Sequence, residues 1–98
     1  MSRLVVLRAE AEAEFDEAFD YYEAQQPGLG VDFAARVQKV FDRIAANPRM
    51  HAVALADIRK AVVTRFPYCV YYRADDTRVE VLAVFHTSRD PSIWQGRA

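Results

Sequence analysis

Leu4-Val5-Val6-Leu7 is a short apolar run closed by Arg3 and Arg8, and its β-branched content predicts a short strand. From Ala9 the period lengthens. Ala11, Phe15, Ala18 and Tyr22 recur at i, i+4, i+7 and i+11, with Phe19 beside them, the stripe of an amphipathic helix. Pro27-Gly28-Leu29-Gly30 ends it, because glycine supplies positive φ and proline cannot continue the ladder. The helical period restarts at Phe33, Val37, Val40, Phe41 and Ile44 and stops at Asn47-Pro48. Two helices joined by so short a loop pack antiparallel.

Residues 49–57 form a connector with no clear period. Strand patterns follow at Arg59–Phe66, Tyr68–Arg73 and Val79–Phe85, with Pro67 as a tight turn or bulge and Asp75-Asp76-Thr77 as a hairpin tip. The apolar stripe of a helical hairpin needs a cover, and a twisted sheet of about four strands supplies it. The expected fold is α+β: a two-layer β-α-α-β-β-β arrangement, helical hairpin on a mainly antiparallel sheet, as one domain over residues 1–98.

Composition adds limits. The chain has 98 residues, 52% hydrophobic, with a formal net charge of −1. That content excludes overall disorder, and the near-zero charge argues against a general nucleic-acid binder. The average conceals an asymmetry. Residues 1–48 hold five basic and nine acidic residues, residues 49–98 eight basic and five acidic. Cys69 is the sole cysteine, so no intrachain disulfide forms and a reducing, cytoplasmic setting is expected. Leu4–Leu7 is too short for a signal peptide, and nothing approaches a membrane span.

The second half concentrates the candidate chemistry. Arg59, Lys60, Arg65 and Arg73 fall within Ile58–Ala74, a stretch without an acid, interleaved with Tyr68, Tyr71 and Tyr72; His86, Arg89 and Trp94 follow. Guanidinium forks match phosphate and carboxylate, and aromatic faces accept stacked groups. Arg65 and Arg73 are expected to share a sheet face, given the side-chain period of two. Of the adjacent Tyr71 and Tyr72, one is expected in the core. The ordinary alternative is that these arginines are solvated, or pair with helix acids, and that His86 is a structural hydrogen-bonded histidine. His51 reads as solvent-facing. The acids of the first helix (Glu10, Glu12, Glu14, Asp16, Glu17, Asp20 and Glu23) read as a solvated face. No metal-ligand spacing appears, so neither metal nor cofactor is expected.

Arg8-x-Glu10-Ala11-Glu12, Tyr21-Tyr22-Glu23, Pro27-Gly28-Leu29-Gly30, Asn47-Pro48, Arg59-Lys60, Phe66-Pro67-Tyr68-x-Val70-x-Tyr72-Arg73 and Val81-Leu82-Ala83-Val84-x-His86-x-x-Arg89-Asp90-Pro91 stand in that order. The set resembles toxins of the ParE/RelE superfamily from type II toxin–antitoxin (plasmid stabilisation) systems, over about residues 3–94. The Phe-Pro-Tyr strand and the His-x-x-Arg-Asp-Pro ending resemble the ParE branch. The resemblance implies a growth-arresting toxin that binds and poisons DNA gyrase, held by a cognate antitoxin, with no membrane or small-molecule ligand. It implies target or antitoxin contacts among Arg59, Lys60, Arg65, Tyr71, Arg73, His86, Arg89 and Trp94. The alternative is a RelE-like ribosome-dependent mRNA endonuclease using Arg65, Arg73, His86 and Arg89. A degenerate, non-toxic antitoxin-binding or autoregulatory module is the third reading. Few lysines, and no tyrosine after Tyr72, set the chain apart from the nuclease pattern.

Overall fold

A computed structural model describes residues 2–98. The elements in chain order are β1 (Leu4–Leu7), α1 (Ala9–Gln25), α2 (Leu29–Ala46), a 3-10 turn (Pro48–Met50), β2 (Val53–Leu55), β3 (Ile58–Val62), β4 (Tyr68–Ala74), β5 (Arg78–His86) and α3 (Ser92–Gln95). The sheet order is β1-β5-β4-β3-β2; β1 runs parallel to β5 and the other pairings are antiparallel. The α+β arrangement of a helical hairpin on a mainly antiparallel sheet is therefore as the sequence pattern predicts. Three details differ. The connector contains a fifth strand, β2. The third strand ends at Val62 rather than Phe66, because the Val63 N–H already bonds the Tyr68 carbonyl, across a tight turn. A short C-terminal helix, α3, covers the outer face.

The main core lies between hairpin and sheet. Ala11, Ala18, Phe33, Val37, Val40 and Ile44 from the helices meet Ala61, Val63, Val70, Tyr72, Val79, Val81 and Val84 from the strands. Phe33 also meets the edges of Phe66 and Tyr68 at 5.3 and 5.1 Å between centroids. The hairpin turn explains its glycines. Gly28 sits at φ 91°, a left-handed conformation. A Cβ on Gly30 would stand 2.7 Å from the Phe19 carbonyl oxygen, so glycine there permits the two helices to approach. Glu23 accepts hydrogen bonds from the N–H groups of Gly28, Gly30 and Val31, capping α2 from the preceding helix.

A second cluster fills the outer face of the sheet: Ile58, Cys69, Tyr71, Leu82, Ala83, Phe85 and Trp94. Tyr71 and Tyr72 do point to opposite faces, yet both are buried, since α3 supplies a second core where one had been expected. The β5 register slips between Val81 and Ala83 opposite Tyr72 and Tyr71, leaving Leu82 as the extra residue of a bulge. No helix among the described residues is long and apolar enough to cross a membrane.

Candidate functional site

The two ends of the sheet carry different chemistry. One end holds the β3–β4 turn and the C-terminus of β5; the other holds the Ala56-Asp57 turn, the Asp75–Thr77 hairpin and the start of β1. At the first end, α1 and the ends of β4 and β5 enclose a cleft of about 270 Å³ lined by Glu14, Glu17, Ala18, Tyr21, Tyr68, Val84, His86 and Arg89. The His86 ring meets Tyr68 edge-on, 5.1 Å between centroids. His86 Nδ1 accepts a 3.0 Å hydrogen bond from the Ser88 N–H, which leaves the neutral ring's proton on Nε2. Burial, then the neighbouring Tyr22, pushes the Tyr68 phenol above its ordinary pKa.

Arg89 lines this cleft but is already engaged. Its guanidinium lies 2.8 Å from Glu14 Oε2 and 4.4 Å from the centre of the Phe85 ring. Glu14 is the hub. Arg97 grips it through two nitrogens, at 2.9 and 3.0 Å, and that hydrogen-bonded pairing holds the Arg97 pKa above its ordinary value. The same two side chains close an open sheet edge. β1 pairs β5 only as far as Val81; beyond it Glu14 accepts from the Val84 N–H and Arg97 donates to the Leu82 carbonyl. Arg8 donates in turn to the Arg97 carbonyl. The C-terminal segment is thereby tied to α1 and β5.

The expectation of a fully solvated acid face on α1 is corrected at Glu14 and Glu23, which serve as an ion-pair hub and a helix cap. Sequence reading also passed over Arg97. A signal for Glu14 existed: it stands four residues before Ala18 and one before Phe15, on the flank of the apolar stripe rather than opposite it.

The other predicted site residues scatter. Arg65 lies in the β3–β4 turn, exposed, at φ 71°. It occupies no strand and so shares no sheet face with Arg73, contrary to expectation. Arg73 sits at the opposite end of β4 beside Asp57 (3.4 Å) and across from Glu80. Five residues of strand, about 17 Å, separate Arg73 from Tyr68 and its cross-strand neighbour His86. Arg59 bonds the carbonyls of Arg49 and His51, stapling the connector. Lys60 is exposed opposite Tyr71. Trp94 stacks on Tyr71 at 3.9 Å and 16° and is 3% exposed. The structure thus brings His86 and Arg89 together with Tyr21 and Tyr68, and Trp94 together with Tyr71; it does not gather the basic residues on one surface. His51 is half-buried against the Tyr72 ring rather than solvent-facing, and burial, then Arg43 and Arg59, lowers its pKa.

A separate apolar groove runs between α2 and β1. A cavity of about 550 Å³ with an apolar floor of Val5, Leu7, Phe41 and Ala45 and a polar border of Ser2, Arg3, Gln38 and Asp42 adjoins one of about 230 Å³ bordered by Leu7, Phe15, Ala34 and Phe41. Leu4 and Val6 on the outer side of β1 are 68% and 37% exposed. Among the described residues no three His, Cys, Asp or Glu side chains converge as a metal site would require.

The family model of the ParE toxin of type II toxin–antitoxin systems (parDE) matches residues 5–91. A solved structure described as a chromosomal ParDE toxin–antitoxin system from P. aeruginosa superposes with a TM-score of 0.76 at 13% identity, covering 89% of this chain and 98% of that one. At that identity the likeness is one of fold. No curated protein matches the sequence.

Proposed function

The chain belongs to the ParE toxin family of type II toxin–antitoxin systems, and from that premise we propose that it arrests growth by binding and poisoning DNA gyrase, under the control of a cognate antitoxin. The observation that carries a binding rather than a nucleolytic reading is the separation of Arg73 from the end of the sheet that holds Arg65, His86 and Arg89. Cleavage at a 2′-hydroxyl needs a base, an acid and phosphate-holding cations around one atom. Here Arg73 is a strand-length from His86, and Arg89 is drawn onto Glu14, a carboxylate it shares with Arg97.

The antitoxin fits the apolar groove along α2. A segment that folds on binding inserts apolar side chains against Val5, Leu7, Phe15 and Phe41. Leu4 and Val6 extend that apolar surface along the sheet edge. Gyrase contacts fall to the exposed residues Lys60 and Arg65.

Purified chain added to gyrase and relaxed plasmid tests this. The expected result is inhibited supercoiling with accumulation of cleaved DNA, reversed by the antitoxin. Full supercoiling at a stoichiometric excess of the chain refutes it. A second reading, ribosome-dependent mRNA cleavage, draws on the cleft where Tyr21, Tyr68 and His86 meet. Codon-positioned cuts in a defined mRNA during cell-free translation, lost in His86→Ala, would replace the first reading with it.

A further inference from the structure

The largest set of cations without a protein partner is on the helical layer, not the sheet. Arg36, Lys39 and Arg43 recur along α2 at i, i+3 and i+7, which at about 100° per residue places them within about 60° of one another. Arg49 follows just past the helix end, in the 3-10 turn whose carbonyl bonds Arg59. The ion pairs of the described residues use Arg8, Arg73, Arg89 and Arg97, so none involves these four. Arg36 is half-buried and the other three are exposed. Asp32, four residues before Arg36, is on this flank; Asp42, three residues after Lys39, borders it about 60° round and bonds Gln38 at 3.0 Å. The C-terminal end of a helix is also where its dipole favours cations.

We propose that this flank of α2, with Arg49, is a docking surface for the phosphodiester backbone of duplex DNA. Three features select that partner. The cations form a row, spaced about 4.5 and 6 Å along the axis at about 1.5 Å per residue, as suits a linear polyanion. The apolar groove of α2 is bordered by Gln38, Phe41 and Ala45, on the opposite flank. From Arg36 to Arg43 the row therefore carries no large apolar anchor of the kind an amphipathic acidic peptide would use, Met50 beside Arg49 being the one exposed apolar side chain at its end, whereas a phosphate backbone is held by charge alone. Finally, the row is followed past the helix end by Arg49, whose carbonyl accepts from the Arg59 guanidinium, so positive charge continues beyond the helix. The near-neutral total charge does not oppose this, because half of the acids belong to α1.

The proposal is independent of the gyrase reading, since it concerns the chain and DNA with no gyrase present. The test is fluorescence anisotropy of a short labelled duplex of arbitrary sequence titrated with the full chain at several salt concentrations. Four phosphate contacts predict a log–log salt slope of about −3.6, or about 150-fold weaker binding between about 50 and 200 mM salt. The triple variant Arg36→Gln/Lys39→Gln/Arg43→Gln is expected to retain its circular dichroism spectrum and to reduce the slope to about −0.9, about 3.5-fold over that range. Lys60→Gln with Arg78→Gln, cations elsewhere, is expected to leave the slope unchanged. Should the triple variant not fold, Lys39→Gln alone is expected to lower the slope by about 0.9. No anisotropy change at low salt, or an unaltered slope in the α2 variants, overturns the proposal. So does an acidic peptide that binds through the same three residues when the duplex does not.

Discussion

Glu14→Ala removes one carboxylate and strands three donors at once. In the folded chain Glu14 is 10% exposed and Arg97 13% exposed at the side chain, joined by two hydrogen bonds of 2.9 and 3.0 Å. Deleting one partner of an enclosed ion pair leaves the other charge without compensation, which costs about 3–5 kcal/mol. The Val84 N–H loses its acceptor as well, though its 3.2 Å bond is long. The Arg89 limb is discounted, because that guanidinium is 41% exposed and water screens it. Residual water access to the cavity lowers the total, so a destabilisation of about 3 kcal/mol is expected. For a domain of this size that corresponds to a fall in melting temperature of about 12–24 °C. Urea and thermal unfolding followed by circular dichroism measure it.

A double-mutant cycle locates the effect. Arg97→Ala leaves Glu14 with Arg89 and the Val84 N–H, so it is expected to cost less, about 1.5–3 kcal/mol. Glu14→Ala/Arg97→Ala is expected to cost clearly less than the two single changes added, because the second substitution removes the charge that the first stranded. Raising salt to 1 M is expected to change these values little, since the pair is enclosed. A cost below about 1 kcal/mol for Glu14→Ala, or strict additivity in the cycle, would refute the view that this pair closes the β5 edge and holds the C-terminus.

Three further outcomes follow from backbone and charge. Ala56 holds φ 51° in the β2–β3 turn; Ala56→Gly relieves the Cβ clash, part of which is offset by a more flexible unfolded chain, for a net stabilisation of about 0.5–1 kcal/mol in urea melts. Gly30→Ala drives a Cβ to 2.7 Å from the Phe19 carbonyl and 2.8 Å from Glu23 Cγ, so it is expected to destabilise by about 1–2 kcal/mol despite alanine's better helix propensity. Stability is expected to hold just above pH 6.5 and decline on acidification. His51 has its folded pKa lowered by burial and then by Arg43 and Arg59, so the unfolded chain takes up the proton first and its contribution is lost as pH falls from 6.5 through the folded value. Glu23, Asp75 and Asp90, all lowered chiefly by backbone N–H donors, add a second decline further down. Urea midpoints across pH, with His51→Gln flattening only the upper decline, check the order.

The helical hairpin was legible because its signals are local. A 3.6-residue stripe, glycines at the hairpin turn and Asn47-Pro48 each act within a few residues, and the observed bounds of α1 and α2 follow them. The strands Tyr68–Ala74 and Arg78–His86 were legible for the same reason, with the hairpin tip fixed by Asp75 accepting from Thr77 and Arg78. β2 was not, because an edge strand with all three residues exposed carries no burial alternation to read. Nor was α3, whose four residues are too few for a period and whose place depends on contacts distant in sequence, Trp94 on Tyr71 and Arg97 on Glu14.

Charge was the hardest property to place, and the reason is geometric. Sequence density located the positive charge at Arg59–Arg73, but density ignores which cations the fold neutralises. Arg59 was drawn into the connector, Arg73 toward Asp57 and Arg89 onto Glu14. Lys60 and Arg65 stay unpaired among the described residues, but the longest open row is of cations diluted among acids in the sequence: Arg36, Lys39 and Arg43 lie in a half of the chain with an acidic balance. Helical spacing gathers the three on one flank, because neighbours at i+3 and i+4 share a face; Asp32 and Asp42 are the α2 acids beside them, while the seven acids of α1 belong to the other helix. An acidic half can therefore carry the chain's most open basic row, and its partner is read from the helix face rather than from the sum.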